Sequence, residues 1–223
     1  MLFRALAVLL VGASAASAAN LAAVFDAHGC RSCHKIGERG GNTGPDLTLV
    51  GHRRPKAWLE TWLASPRAYK HDTKMPEQGL TAPDRAALAE FLSEQKGQAW
   101  TRRPWNIYHE KNSEFVVDGK EVYLRAGCVA CHGVGGRGGH PNPGGRGGWI
   151  PALPPLLATY KKDELISKLK RGAKADSDPG RTAEVDMPAW GAVMNDAELD
   201  ALADYLLTLA KAGPKDGNPK DDF

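Results

Sequence analysis

The pentapeptide Cys30-Arg31-Ser32-Cys33-His34 returns later in the chain as Cys128-Val129-Ala130-Cys131-His132. In an exported protein, C-x-x-C-H is the attachment signature of c-type haem: two thiols add across the vinyl groups, and the adjoining imidazole reaches the iron from one face. Two intervening residues let both sulfurs meet one side of the porphyrin, and a histidine directly after the second cysteine falls beneath the metal. The expectation is two covalently bound haem c groups, each gathering a small helical domain around it.

All four cysteines of the chain lie in these two motifs, so none is left to staple loops by disulfides. A shared zinc site is disfavoured because Cys33 and Cys128 are far beyond compact finger spacing. A thioredoxin-like dithiol calls for a strand before the motif within a βαβ pattern. Helical patterns precede both motifs here.

The N-terminus supplies the exported context. Arg4 is followed by an apolar run from Ala5 to Val11 and then by Ala13-Ser14-Ala15-Ala16-Ser17-Ala18-Ala19. The run is far shorter than the roughly 20 residues of a membrane span, so residues 1–19 read as a cleaved secretory signal peptide, with a periplasmic destination and no stable membrane span afterwards. The remaining chain, roughly 200 residues, suits two domains of about 100 each. A formal charge of +3 gives no strong electrostatic partner class, and nucleic acid is not expected as a partner.

Aligning the motifs exposes an internal repeat. Phe25 and Gly29 precede Cys30 as Tyr123 and Gly127 precede Cys128. Downstream, Met75-Pro76-Glu77-Gln78-Gly79 matches Met187-Pro188-Ala189-Trp190-Gly191, and Ala87 to Leu92 matches Ala201 to Leu206. The boundaries that follow are 20–96 for the first domain, 97–112 for a connector whose aromatics pack on its neighbours, 113–213 for the second domain and 214–223 for a disordered tail.

Apolar spacing predicts helices over 21–28, 55–65, about 83–95, 120–125, 163–171 and from 195 to 212. Thr81 with Asp84, and Asn195 with Glu198, are capping pairs. The glycine-rich stretch from Gly133 to Gly148 reads as a long surface loop. No Gly-Lys-Ser/Thr follows it, so it is no nucleotide loop, and an RGG-like RNA contact fits poorly with export. The fold class is all-α.

A short helix into C-x-x-C-H, a loop with proline, a Met-Pro and a C-terminal amphipathic helix bearing an aromatic together resemble class I cytochrome c, once per half and over nearly the whole mature chain. The resemblance implies two tandem domains of that fold. It makes His34 and Met75 the axial pair of the first haem and His132 and Met187 that of the second. Cys30, Cys33, Cys128 and Cys131 are then the thioether attachments. It also implies that Phe25 faces Phe91 and Tyr123 faces Tyr205 where first and last helices cross. Pro45 would offer a carbonyl to His34, with Pro154-Pro155 the equivalent for His132. Met194 is the reserve ligand in the second half, and His71 the competing one in the first. Trp58, Trp62, Trp149 and Trp190 read as wall and core material.

A filled sixth position leaves no open iron site, and methionine sulfur favours the reduced metal. The functional expectation is an electron carrier with no catalytic residues of its own. It would move single electrons from a dehydrogenase or quinol–cytochrome c reductase to an oxidase or reductase, as a free shuttle or as the electron-transfer subunit of a complex. The alternative is a di-haem enzyme, such as a sulfur-compound dehydrogenase or a peroxidase, with one catalytic haem.

Overall fold

The computed structural model describes residues 21–110 and 113–212. The expected signal segment, the last two connector residues and the expected tail lie outside them. In the first half, helix α1 covers 21–27 and ends at Gly29, whose φ of 66° suits a residue without a Cβ. The chain then turns through a 3₁₀ segment, Cys30–Ser32, into an antiparallel pair of short strands, β1 (Lys35–Ile36) and β2 (Arg39–Gly40). Four helices follow: α2 (Val50–Arg53), α3 (Lys56–Ala64), α4 (Pro66–Tyr69) and α5 (Ala82–Ser93). Pro66 both ends α3 and opens α4, because its fixed φ suits a first helical turn and its missing N–H is no loss there. Thr81 caps α5 by accepting from the Asp84 N–H, as its sequence position predicts.

The stretch after residue 97 has no helical period, and β3 (Asn106–His109) pairs antiparallel with β4 (Glu114–Val117), one on each side of the expected boundary at 112/113. The second half adds α6 (Gly119–Arg125), α7 (Val129–His132), α8 (Leu153–Leu157), α9 (Lys162–Arg171) and α10 (Asp196–Ala212). Asn195 and Glu198 close a reciprocal box on α10: the Asn195 side chain accepts from the Glu198 N–H at 2.9 Å, and the Glu198 carboxylate accepts from the Asn195 N–H at 3.0 Å. Among the described residues the sheets are two pairs of short strands, and the architecture is essentially all-α.

Two apolar clusters form, one per half. In the first, Phe25 of α1 meets Phe91 of α5 with ring centroids 5.6 Å apart; in the second, Tyr123 of α6 meets Tyr205 of α10 at 5.5 Å. The sequence reading gave the connector to neither half. Trp105 is fully buried in the second cluster, with Leu49 from the first half beside it in the same core. Its indole N–H donates to the buried Glu198 carboxylate at 2.7 Å. Trp105→Phe removes that donor together with part of the buried ring volume, leaving the oxygen only the longer contact with Arg103 at 3.5 Å. A loss of about 1–3 kcal/mol in unfolding free energy is expected, read from the shift in urea midpoint.

The halves are joined by polar contacts rather than by a flexible tether. Arg53 of α2 is buried and donates to the Gly127 carbonyl at 3.0 Å and to the Asp46 carbonyl at 2.7 Å. Arg125 of α6 reaches back to the Asp46 carboxylate at 2.6 Å and to the Gly37 carbonyl at 3.0 Å. Tyr69 donates to Glu184 at 2.7 Å. Gly127 must lack a side chain, since a Cβ there would strike the Arg53 guanidinium.

Candidate haem sites

In the first half, Cys30, Cys33, His34 and Met75 line one cavity of about 520 Å³. That is within the roughly 300–1,000 Å³ of cofactor and small-molecule sites. The 3₁₀ turn brings the two cysteines and His34 together, because three successive bonds from the Gly29 and Cys30 carbonyls hold residues 32–34 in a tight coil. Met75 arrives from the loop between α4 and α5. Phe25, Leu59, Leu63, Leu88 and Leu92 contribute apolar wall.

His34 is oriented by its surroundings. Its Nδ1 lies 2.9 Å from the Pro45 carbonyl oxygen. A carbonyl only accepts, so Nδ1 carries the proton and Nε2 keeps its lone pair. Burial holds the imidazole below its ordinary pKa, against a smaller opposing pull from the Pro45 carbonyl, so the ring is neutral near pH 7. A neutral ring with a free, directed lone pair is what a metal requires of histidine. On the lining of the same cavity, the Trp62 indole N–H donates to the Met75 sulfur at 3.0 Å. Trp62 is therefore more than wall. It lies stacked on Trp58, whose own N–H donates to Tyr69 at 2.9 Å, so a chain of aromatic contacts runs from the methionine to the junction of the halves.

The second half repeats the motif with differences. Cys128, Cys131 and His132 stand at α7, and burial, the main cause, keeps the His132 ring neutral by pushing its pKa down to about 4. Its Nδ1 is buried without a hydrogen-bond partner. The expected acceptor at Pro154-Pro155 is not supplied: both prolines lie in the first turn of α8, and the Pro154 carbonyl accepts from Ala158 instead. Met187 packs against the same apolar cluster as Cys128, and its backbone pairs with Ala173 in both directions, at 3.0 and 2.9 Å. Met194 is buried in that cluster too. The structure thus gathers the four residues expected for the first haem around one cavity, and of those expected for the second it packs Cys128 and Met187 on one core.

Burial pushes the Cys128 thiol up to about 12, and desolvation also raises Cys30. Only Cys33 is lowered, chiefly by the Thr43 hydroxyl. In a loaded protein the same sulfurs are thioethers and do not titrate.

The donor set of the first half fits a haem: paired cysteines beside a neutral, oriented histidine, with a methionine on the lining of the same largely apolar cavity. The cytochrome c family model matches residues 18–96 and again 116–210. The chain belongs to the cytochrome c family. Members of this family bind haem c covalently and use it for electron transfer, and here the family domain occurs twice in tandem. No curated protein matches the chain at a significant level. Among the described residues, no helix is long and apolar enough to cross a membrane.

Several residues of this cytochrome c escaped the sequence reading. Asn142, in the glycine-rich stretch, is buried and makes a two-way bond with Val185: its amide donates to the Val185 carbonyl and its oxygen accepts from the Val185 N–H, both at 3.0 Å. It fixes the segment that carries Met187. His140 and Pro141, from the same stretch, line the cavity of the first half. That stretch is therefore not simply a surface loop, though a run of glycines offers no side-chain pattern from which to see it. His71 is exposed, away from the cavity lining, and Trp149 is 58 % exposed rather than wall or core.

Proposed function

We propose that this cytochrome c is a periplasmic di-haem electron carrier, with His34 and Met75 as axial ligands in the first half and His132 and Met187 in the second. It would take single electrons from a dehydrogenase or a quinol–cytochrome c reductase and pass them to an oxidase or reductase, as a free shuttle or as the electron-transfer subunit of a complex. The observation that carries this reading is the cavity shared by Cys30, Cys33, His34 and Met75, with His34 tied to the Pro45 carbonyl.

When bound, haem supplies a reversible one-electron couple at iron. The chain's own residues account for the rest. Pro45 fixes the imidazole so that no ring rotation accompanies a change of charge on its partner. Trp62 holds the Met75 sulfur and, by donating to it, draws off donor strength, which favours the reduced metal. The apolar walls from α1, α3 and α5 keep water from the cavity and limit solvent rearrangement. A cavity filled from both sides offers no place for a small oxidant, which supports a carrier over an enzyme.

A pyridine haemochrome assay on the purified holoprotein is expected to give two c-type haems per chain. One haem or none would defeat the reading. Turnover of peroxide or thiosulfate by the purified protein, or a five-coordinate resting spectrum, would turn it toward the di-haem enzyme.

A further inference from the structure

The carbonyl that holds His34 is itself held, in large part by groups from the other half of the chain. Pro45 shares a planar peptide with Asp46, and its ring fixes its own φ, so the direction of its carbonyl follows from where Asp46 is anchored. The first half ties the loop on either side of this pair. The Gly44 N–H donates to the Cys33 carbonyl at 2.9 Å, and the Leu47 N–H to the Lys35 carbonyl at 2.8 Å.

Asp46 stands between these ties and is 6 % exposed. Its Oδ1 accepts from the Thr48 N–H at 2.8 Å and from the Thr48 hydroxyl. Its Oδ2 accepts from Arg125 Nε at 2.6 Å, and its backbone carbonyl accepts from Arg53 at 2.7 Å. Both arginines belong to the segment leading into the second motif or reach it: Arg125 closes α6, just before Cys128, and Arg53 also donates to the Gly127 carbonyl at 3.0 Å. Arg125 Nη2 donates to the Gly37 carbonyl at 3.0 Å, and the Gly37 N–H donates to the Thr48 hydroxyl at 2.8 Å. Arg125, Asp46, Thr48 and Gly37 thus form a closed ring of bonds around the loop.

A carboxylate out of water is costly unless it is paired, and a charge-assisted bond is roughly twice as strong as a neutral one. Thr48 is neutral, so the charge on the Asp46 carboxylate is met by Arg125. Glu38 is a lesser partner of the same arginine, 61 % exposed and 3.5 Å from Nη2.

We propose that Arg125 is a positioning residue for His34: by fixing Asp46 from the second half, it aims the Pro45 carbonyl at the imidazole Nδ1–H. The first site is then completed by a side chain of the other domain. His132 has no counterpart to this brace, since its Nδ1 is buried without a hydrogen-bond partner.

This inference rests on the di-haem carrier reading, and haem content is measured first on every preparation to keep the two apart. Proton exchange in the reduced, diamagnetic holoprotein is then followed by NMR at the His34 ring Nδ1–H, the Thr48 N–H and the Leu88 and Leu92 amides of α5. Wild type is compared with Arg125→Met, Arg125→Lys and Glu38→Gln. In Arg125→Met the His34 and Thr48 protons are expected to exchange about tenfold faster or more, for loss of one charge-assisted bond, while the α5 amides keep their wild-type rates. Arg125→Lys recovers most of that protection, because its ammonium can still meet Asp46, and Glu38→Gln leaves every rate unchanged. Two bound haems with an unaltered His34 ring proton in Arg125→Met overturn the positioning role and leave the carrier reading intact. Equal acceleration at all of these protons also overturns it, since that marks a general loss of stability. Where Arg125→Met does not fold, a crystal structure of the unaltered holoprotein decides: Arg125 bonded to the Asp46 carboxylate with the Pro45 carbonyl on His34 supports the assignment, and Arg125 turned to Glu38 or to water overturns it.

Discussion

Gly119→Ala is expected to destabilise the second half by about 3 kcal/mol, a large fraction of what holds a domain of this size together. Gly119 opens α6, where that helix crosses α10. A Cβ at this position would run into the Ala201 carbonyl oxygen and come within 3.0 Å of the Tyr205 Cβ. Overpacking costs about 1–3 kcal/mol when side chains can move aside. The obstacle here is helix backbone, which cannot rotate away, so the upper end applies. Any gain from replacing glycine in a helix is about 0.5–1 kcal/mol at most and smaller in a first turn. To fit, α6 must lift off α10, opening the contact between Tyr123 and Tyr205 and loosening the approach to Cys128. The measurements are the urea midpoint and the temperature midpoint of the holoprotein. An unchanged midpoint would show that the two helices do not meet as closely as described.

Gly44→Ala is expected to disable the first site while leaving the second intact. A Cβ on Gly44 would fall 2.6 Å from Cε1 and 2.7 Å from Nδ1 of His34. The ring is held at the same Nδ1 by the Pro45 carbonyl, one residue along the same loop, so methyl group and hydrogen bond compete for one imidazole position. Displacement of the ring costs the 2.9 Å bond and misdirects Nε2. Cys30 and Cys33 are untouched by the substitution, so the pyridine haemochrome count should stay at two. The optical and paramagnetic signatures of histidine-methionine ligation should fall to half, and the potential of the affected haem should drop. A variant with full axial signatures would mean that His34 does not occupy the described position in the loaded protein.

Most of the architecture could be read from the residues. The C-x-x-C-H motifs, the Met-Pro pairs and the two terminal helices lie at matched offsets, and the caps at Thr81 and Asn195 mark real helix starts. Pro45 stands beside Gly44 and Asp46, and its carbonyl meets His34 as the family resemblance implies. Other expectations did not hold. Pro154 and Pro155 look like a second copy of that loop, but consecutive prolines with apolar followers can equally start a helix, and α8 took them. Trp149 looks like core material because of its size, yet the glycines before it leave nothing for it to pack against.

The connector shows why composition misleads. Trp100, Trp105 and their neighbours have no helical period, so they read as a link between units. Trp105 instead sits fully buried at a position where α10 presents a carboxylate, because an indole supplies both apolar area and one N–H. Nothing near Trp105 in the sequence points to Glu198.

By itself, the sequence determined what is set by chain-local spacing: two cysteine-histidine anchors, a repeated unit, helices with one apolar face and a methionine downstream of each anchor. Only the tertiary structure decided which glycines are obligatory, that Trp62 rather than another aromatic donates to Met75, and that Arg53 of one half reaches the Gly127 carbonyl beside the cysteine-histidine motif of the other. The reason is physical. Covalent attachment and helical periodicity depend on residues a few positions apart, whereas steric exclusion and the pairing of buried charge depend on which distant segments arrive at the same place, and the halves of this chain meet through side chains that leave no periodic trace.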